Sequence, residues 1–246
     1  MNMKKYLSWL PNAITLTNLL CGSIAIVMLL NEQYENAIIL VFISLLADFL
    51  DGLIARGLNI QSVIGKDLDS LADLVTFGLL PAIVLYHLAE QQEHSVWNYL
   101  CFLVVLFSAI RLAKFNHDTR QSYYFRGLPT PANAIFVLSL LIFSTYESPE
   151  ISEHSFWLKW NTVILSKIIY STKTIRFLSI ISSVLLITPI NLISFKSPRY
   201  TFSAIKHQLI LMAGIILLTI LFGKFVLFWA ILWYILWSVI WYYFIL

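Results

Sequence analysis

Apolar residues run through this chain in stretches of up to about twenty, with short polar segments between them. The stretches fall near 13–30, 36–56, 68–88, 96–114, 131–146, 175–195, 205–223 and 225–244. A hydrocarbon core about 30 Å thick takes roughly 20 residues of helix, so the pattern predicts an all-α, polytopic integral membrane helical bundle of about eight transmembrane helices. The run 156–170 is interrupted by Lys159, Asn161 and Lys167, which predicts an interfacial helix rather than a ninth span. Lys4 and Lys5 precede the first run as they would in a secretory leader. That run is as long as a span, however, and the polar loop after it has no small-residue cleavage site, so it is expected to remain as the first membrane helix.

Composition agrees with this reading: 59% of the residues are hydrophobic and 12% charged, and the mean hydropathy is +0.81. The chain is too apolar for a soluble domain, and it carries no nucleic-acid signature, internal repeat or low-complexity tract. Cys21 and Cys101 lie inside apolar segments and are expected as buried free thiols. With the amino terminus in the cytoplasm, Arg56, Lys66, Arg111, Lys114, Arg120, Arg126, Lys196, Arg199 and Lys206 fall on the cytoplasmic side, as cation-rich loops should. The segment 147–174, with Lys159, Lys167 and Lys173, runs against that orientation. Near the carboxyl end, Trp229, Trp233, Trp237 and Trp241 recur every four residues, which predicts a lipid-facing or dimer-facing stripe ending in an interfacial belt.

The charge that changes the picture is acidic. Five aspartates occur between Asp48 and Asp73, inside apolar, helix-like sequence, and ionisable groups near a bilayer core are costly unless they face a partner or a wet cavity. Asp48 and Asp51 are three apart at the end of the second predicted span, and Asp69 and Asp73 are four apart at the start of the third, so each pair shares a helical face. The connection 57–65 is short enough to make the two helices antiparallel neighbours, which brings four carboxylates to one membrane depth. Anions that close take up protons or bind cations, and a cluster made only of carboxylate oxygens suits Mg2+, Mn2+ or Ca2+ rather than zinc. Two such ions bridged by carboxylates are a recurring device for in-line displacement at phosphorus. Gly52, Ala55 and Gly65 would let a ligand approach the backbone, and Arg56 offers a planar fork of donors for phosphate. Asp67 is expected to support a helix start, and Asp118 to be a solvated loop residue.

Asp48, Asp51, Gly52, Ala55, Arg56, Gly65, Asp69 and Asp73 match every specified position of the signature of the CDP-alcohol phosphotransferase family, which the chain therefore resembles. The segments Pro11-Asn12-Ala13-Ile14-Thr15-Leu16-Thr17-Asn18, Arg111-Leu112-Ala113-Lys114-Phe115-Asn116 and Gly127-Leu128-Pro129-Thr130-Pro131-Ala132 look like its phosphatidylserine synthase branch. The likeness covers roughly the first 135 residues well and the remainder loosely, in the stretch Phe195-Lys196-Ser197.

The resemblance implies one membrane domain: a six-helix catalytic core over residues 1–195, two additional helices over 196–246, and pairing as a homodimer. It implies transfer of a phosphatidyl group from CDP-diacylglycerol to L-serine with release of CMP, at the cell inner membrane and from the cytoplasmic side. Asp48, Asp51, Asp69 and Asp73 would share two divalent cations, Mg2+ or Mn2+, with Asp73 also the general base. Gly52, Ala55, Arg56 and Gly65 would line the CDP site, with Thr15 and Asn18 as helpers from the first helix. For serine, the candidates are Arg111, Lys114 and Arg126 for its carboxylate and Asn116 to orient the zwitterion. Another acceptor such as glycerol 3-phosphate, or a divalent-cation transporter, are the competing readings. Against the second stands the lack of the paired, related halves usual in such transporters.

Overall fold

The computed structural model describes residues 9–58, 63–117, 124–146, 156–193 and 202–245. Lys4, Lys5, Asp118, Arg120, Lys196, Arg199 and the stretch 195–197 lie outside the described residues. Each of the eight apolar stretches contains a helix. They are α1 (Leu10–Leu30), α2 (Tyr34–Gly57), α3 (Val63–Asp73) running through a π-helical turn (Leu74–Leu79) into α4 (Leu80–Glu90), a 3-10 segment (Val96–Phe102) leading into α5 (Leu103–His117), α6 (Thr130–Tyr146), α8 (Thr172–Ile187), α9 (Phe202–Phe222) and α10 (Val226–Ile240). Helix α7 (Phe156–Ile169) occupies the interrupted run and meets α8 at a bend of 88°. Five helical segments are long and apolar enough to cross a membrane, or six if α7 and α8 are one bent span, and Thr130–Thr145 and Lys206–Phe222 are shorter apolar helical stretches. The protein is thus a polytopic membrane protein of the all-α class, with one short two-stranded ladder.

The third span is continuous although Pro81 lies within it. Proline removes a backbone donor and clashes with the carbonyl four residues back. The wider π turn immediately before it absorbs that defect. Helix α1 packs along α2, α3 and the π turn, and at Gly22 the approach is so close that a Cβ would run into the Thr76 side chain. The Asn18 carbonyl accepts hydroxyls from Ser44 (3.2 Å) and Thr76 (3.3 Å), pinning the three elements at one level.

The sixth stretch departs from expectation. Its helix ends at Ile187, not near residue 195, because Thr188 precedes Pro189 and is forced into extended backbone (ψ 134°). The chain then forms β2 (Asn191–Ile193), antiparallel to β1 (Tyr124–Arg126), with Phe125 opposite Leu192. Gly127 sits beneath this small ladder at φ +74°, where a Cβ would strike the Leu186 carbonyl. Its N–H donates to Ile190 (2.9 Å), and Leu128 N–H donates to Leu185.

Helix α10 holds β2 from the other side. The Tyr234 hydroxyl donates to the Ile193 carbonyl (3.0 Å), and Ser238 Oγ accepts the Ile193 N–H (3.2 Å). The tryptophan stripe is also intramolecular rather than lipid- or dimer-facing. Trp233 and Trp237 donate their indole N–H groups to the Leu211 and His207 carbonyls of α9, and Trp233 fills the space left by Gly214. Small residues permit such close approach between membrane helices.

At the end of the bundle away from the aspartates, Asn98 donates to Glu90 (2.6 Å) and to the Glu93 carbonyl. Arg176 of α8 reaches Asn98 Oδ1 (3.0 Å) and Glu93 (3.4 Å). Both cysteines are free, and Cys101 is buried.

Candidate functional site

Helices α2 and α3 bring the spaced aspartates together. One carboxylate oxygen from each of Asp48, Asp51 and Asp69 lies within 4.8 Å of the other two. A six-coordinate Mg2+ with ligands at about 2.0–2.1 Å sets neighbouring oxygens about 3 Å apart and opposite ones about 4 Å apart, so the three can serve one ion with little adjustment. Asp69 Oδ1 is buried and has no hydrogen-bond partner among the described residues. A carboxylate oxygen deprived of both water and donors is costly, and a cation removes that cost. The donor set, all oxygen and all anionic, fits a hard divalent metal.

Asp73 stands one turn further along α3, outside that tight set. It is buried, accepts Asn18 Nδ2 (3.4 Å), and lies within charge–charge range of the other three aspartates and of Arg111. Asp67, by contrast, is exposed on the opposite side of α3.

Thr15 and Asn18 are three apart on α1, which turns both toward the cluster. The Thr15 hydroxyl donates to Asp51 Oδ2 at 2.5 Å, and the Pro11 carbonyl is also within 3.0 Å of it. Asn18 is fully buried and reaches Asp73. Both residues therefore hold carboxylates in place, a task that the first helix shows in its sequence only as polar positions on an apolar face.

Of the residues expected around CDP, Gly52 and Ala55 are half-buried on α2, next to the aspartates, and Gly65 is half-buried in the first turn of α3. Arg56 is exposed at the end of α2, with its guanidinium turned back toward Gly52. A Cβ at that glycine would stand 3.5 Å from Arg56 Nη1, an ordinary van der Waals distance.

The four serine candidates part company. Arg111 is buried beside Asp73, donates to Thr130 Oγ1 (3.4 Å) and lies within charge range of Tyr234. Lys114 and Arg126 are exposed. Asn116 donates its side-chain amide to Ser70 (2.7 Å), while its main-chain carbonyl accepts Lys66, so it fastens the end of α5 to α3. Thr130 and Tyr234 were not singled out by the sequence. Thr130 stands between two prolines, which signals a helix start but not a partner. Tyr234 sits in an aromatic run where nothing marks one ring from another.

A helical membrane bundle that gathers carboxylates, a buried arginine and tethering amides at one level defines an integral membrane protein with an acidic, cation-ready site. Residues 8–170 match the family model described as CDP-alcohol phosphatidyltransferase, and the chain belongs to that family. It is 30% identical over 221 residues to the CDP-diacylglycerol–serine O-phosphatidyltransferase of Helicobacter pylori, covering 84% of this chain and 93% of that one. To the Bacillus subtilis protein of the same name it is 37% identical over 126 residues, 51% of this chain and 71% of the other. It is similar as well to the archaetidylserine synthase of Methanothermobacter thermautotrophicus, at 32% over 175 residues, 69% of this chain and 73% of that one.

Proposed function

We propose that this protein is a phosphatidylserine synthase, transferring the phosphatidyl group of CDP-diacylglycerol to L-serine and releasing CMP. The observation that carries the reading is the clustering of Asp48, Asp51 and Asp69, with Asp73 and Arg111 alongside, in a chain similar over most of its length to enzymes of that name. Asp48, Asp51, Asp69 and Asp73 hold two divalent cations, Mg2+ or Mn2+. When bound, such ions neutralise the pyrophosphate and the charge that develops on the departing nucleotide.

The residues themselves do the rest. Gly52, Ala55 and Gly65 give the nucleotide access to the backbone, and Arg56, free at the end of α2, swings to its phosphates. Thr15 and Asn18 keep Asp51 and Asp73 oriented. Arg111 fixes the carboxylate of serine, a charge-assisted pairing inside a low-dielectric site. Asp73 accepts the serine hydroxyl proton as the oxygen attacks the lipid-side phosphorus, and the phosphorus–oxygen bond to CMP breaks. Lys114 and Arg126, exposed at helix and strand ends, serve anionic lipid headgroups rather than serine. This is a change from their expected role, and the reason is their exposure.

Because Tyr234 and Ser238 clasp β2, the last two helices, set apart by the expected boundary at residue 195, are read as supports of the catalytic bundle. The distribution of Lys and Arg supports a site facing the cytoplasm from the cell inner membrane, and family likeness supports a homodimer. The test is direct. Purified protein is given CDP-diacylglycerol with labelled serine or labelled glycerol 3-phosphate, across a Mg2+ and Mn2+ titration. Metal-dependent CMP release with serine is expected. Turnover only with glycerol 3-phosphate, or metal flux without nucleotide chemistry, refutes it.

A further inference from the structure

Beside the site, three residues keep buried polar atoms that pair with nothing among the described residues: Ser108 Oγ, Arg111 Nε, and both Nδ2 and Oδ1 of Asn133. Asn133 and Ser108 are completely buried. An amide with both ends unpaired is costly in any interior and more so in a membrane bundle.

These groups lie in two tiers. Arg111 of α5 bonds Thr130 of α6, joining the end of one helix to the start of the next. Ser108 is three residues back from Arg111, and Asn133 three residues on from Thr130, so each lies on the same face as its neighbour and one turn deeper. Both α5 and α6 flank the π turn that follows Asp73. On that turn, a Cβ at Gly78 would stand 3.2 Å from the Ser108 Cβ. The lower tier is therefore set one turn inside the bundle from the arginine, with Ser108 against the π turn that follows Asp73.

We propose that Asn133, with Ser108 at the same depth, is a specificity-determining part of the acceptor pocket and recognises a zwitterionic amino acid. This rests on the reading above. A carboxylate takes up the free donors Arg111 Nε and Asn133 Nδ2, and an ammonium takes up the free acceptors Asn133 Oδ1 and Ser108 Oγ. The amide carries its donor and its acceptor on separate atoms, so it can meet a carboxylate and an ammonium at once. A dianionic acceptor without an ammonium, such as glycerol 3-phosphate, would leave Oδ1 unpaired, the kind of mismatch that polar sites reject strongly.

The test compares Asn133→Leu and Asn133→Asp with wild type, as full-length protein in detergent with saturating divalent metal. It reads the KM for serine, the KM for CDP-diacylglycerol, and the thermal midpoint. Replacing an unpaired buried amide by an apolar group of similar size is neutral or stabilising, so Asn133→Leu should keep or raise the midpoint. At the same time it should raise the serine KM roughly 10- to 100-fold and leave the CDP-diacylglycerol KM within about twofold. Asn133→Asp keeps the acceptor, loses the donor and faces the substrate carboxylate, and should raise the serine KM likewise. It decides the question if the leucine variant does not fold. A serine KM within about twofold of wild type in a folded variant overturns the assignment of Asn133, as does an equal rise of both KM values. Wild-type protein that releases no CMP with serine overturns the enzymatic reading and this inference with it.

Discussion

The hydrogen bond from Thr15 to Asp51 offers the sharpest perturbation. Thr15→Val preserves the branched shape on α1 and deletes the hydroxyl whose 2.5 Å bond holds a buried carboxylate. A hydrogen bond to a charged group contributes about 1.5–3 kcal/mol, and loss of a partner behind a metal ligand typically weakens metal affinity about 10- to 100-fold. The metal concentration that gives half-maximal CMP release should therefore rise by roughly that factor. At saturating metal, kcat should recover most of its wild-type value, because Asp51 is still present. Thr15→Ser, which restores the oxygen, should return the metal midpoint toward wild type. The assay is CMP release against Mn2+ concentration, with Mn2+ binding followed independently by electron paramagnetic resonance. The result also separates two roles for the same residue. If Thr15 contacted the nucleotide directly, the variant would raise the KM for CDP-diacylglycerol and leave the metal curve in place, and that outcome would refute the reasoning.

Three further expectations rest on different parts of the geometry. Asp73→Asn should abolish turnover while CDP-diacylglycerol still binds, measured by equilibrium binding of labelled lipid; wild-type rates would remove Asp73 from the proton-accepting role. Gly22→Ala drives a methyl group into Thr76, where α1 meets the π turn. Overpacking of this kind costs about 1–3 kcal/mol, so the thermal midpoint in detergent should fall, and an unchanged midpoint would show that the helices part freely. Gly52→Ala meets nothing closer than Arg56 Nη1 at 3.5 Å, so the midpoint should hold while the CDP-diacylglycerol KM rises; an unchanged KM would mean that the nucleotide does not approach the backbone there.

Much of the architecture was legible because a bilayer imposes simple rules. Backbone groups in hydrocarbon must bond within their own segment, so long apolar runs become helices, and every one of the eight stretches did. The departure at residues 188–193 has a local cause. The hydropathy of that segment stays high, but Pro189 stops the helix, and the chain behind it pairs with β1 instead of continuing. The tryptophans show the opposite failure: periodicity located the face correctly, yet could not say whether lipid, another copy or α9 would cover it. The closeness of α9 to α10 depends on Gly214, far away in sequence.

What the sequence determined by itself was the acidic core of the site. The spacings from Asp48 to Asp51 and from Asp69 to Asp73, joined by a short connection, leave two helices little choice but to present their carboxylates together, since helical periodicity is a local property. Which polar residues serve those carboxylates, and which stand idle, depended on the assembled bundle. Thr15 meets Asp51 across 36 positions, and Arg111 meets Thr130 across 19. Lys114, three residues beyond Arg111, is exposed instead. Such pairings depend on how helices rotate and approach one another, and small residues such as Gly22 and a π turn before Pro81 set that approach. Local sequence encodes each of these features but not the distance they jointly produce.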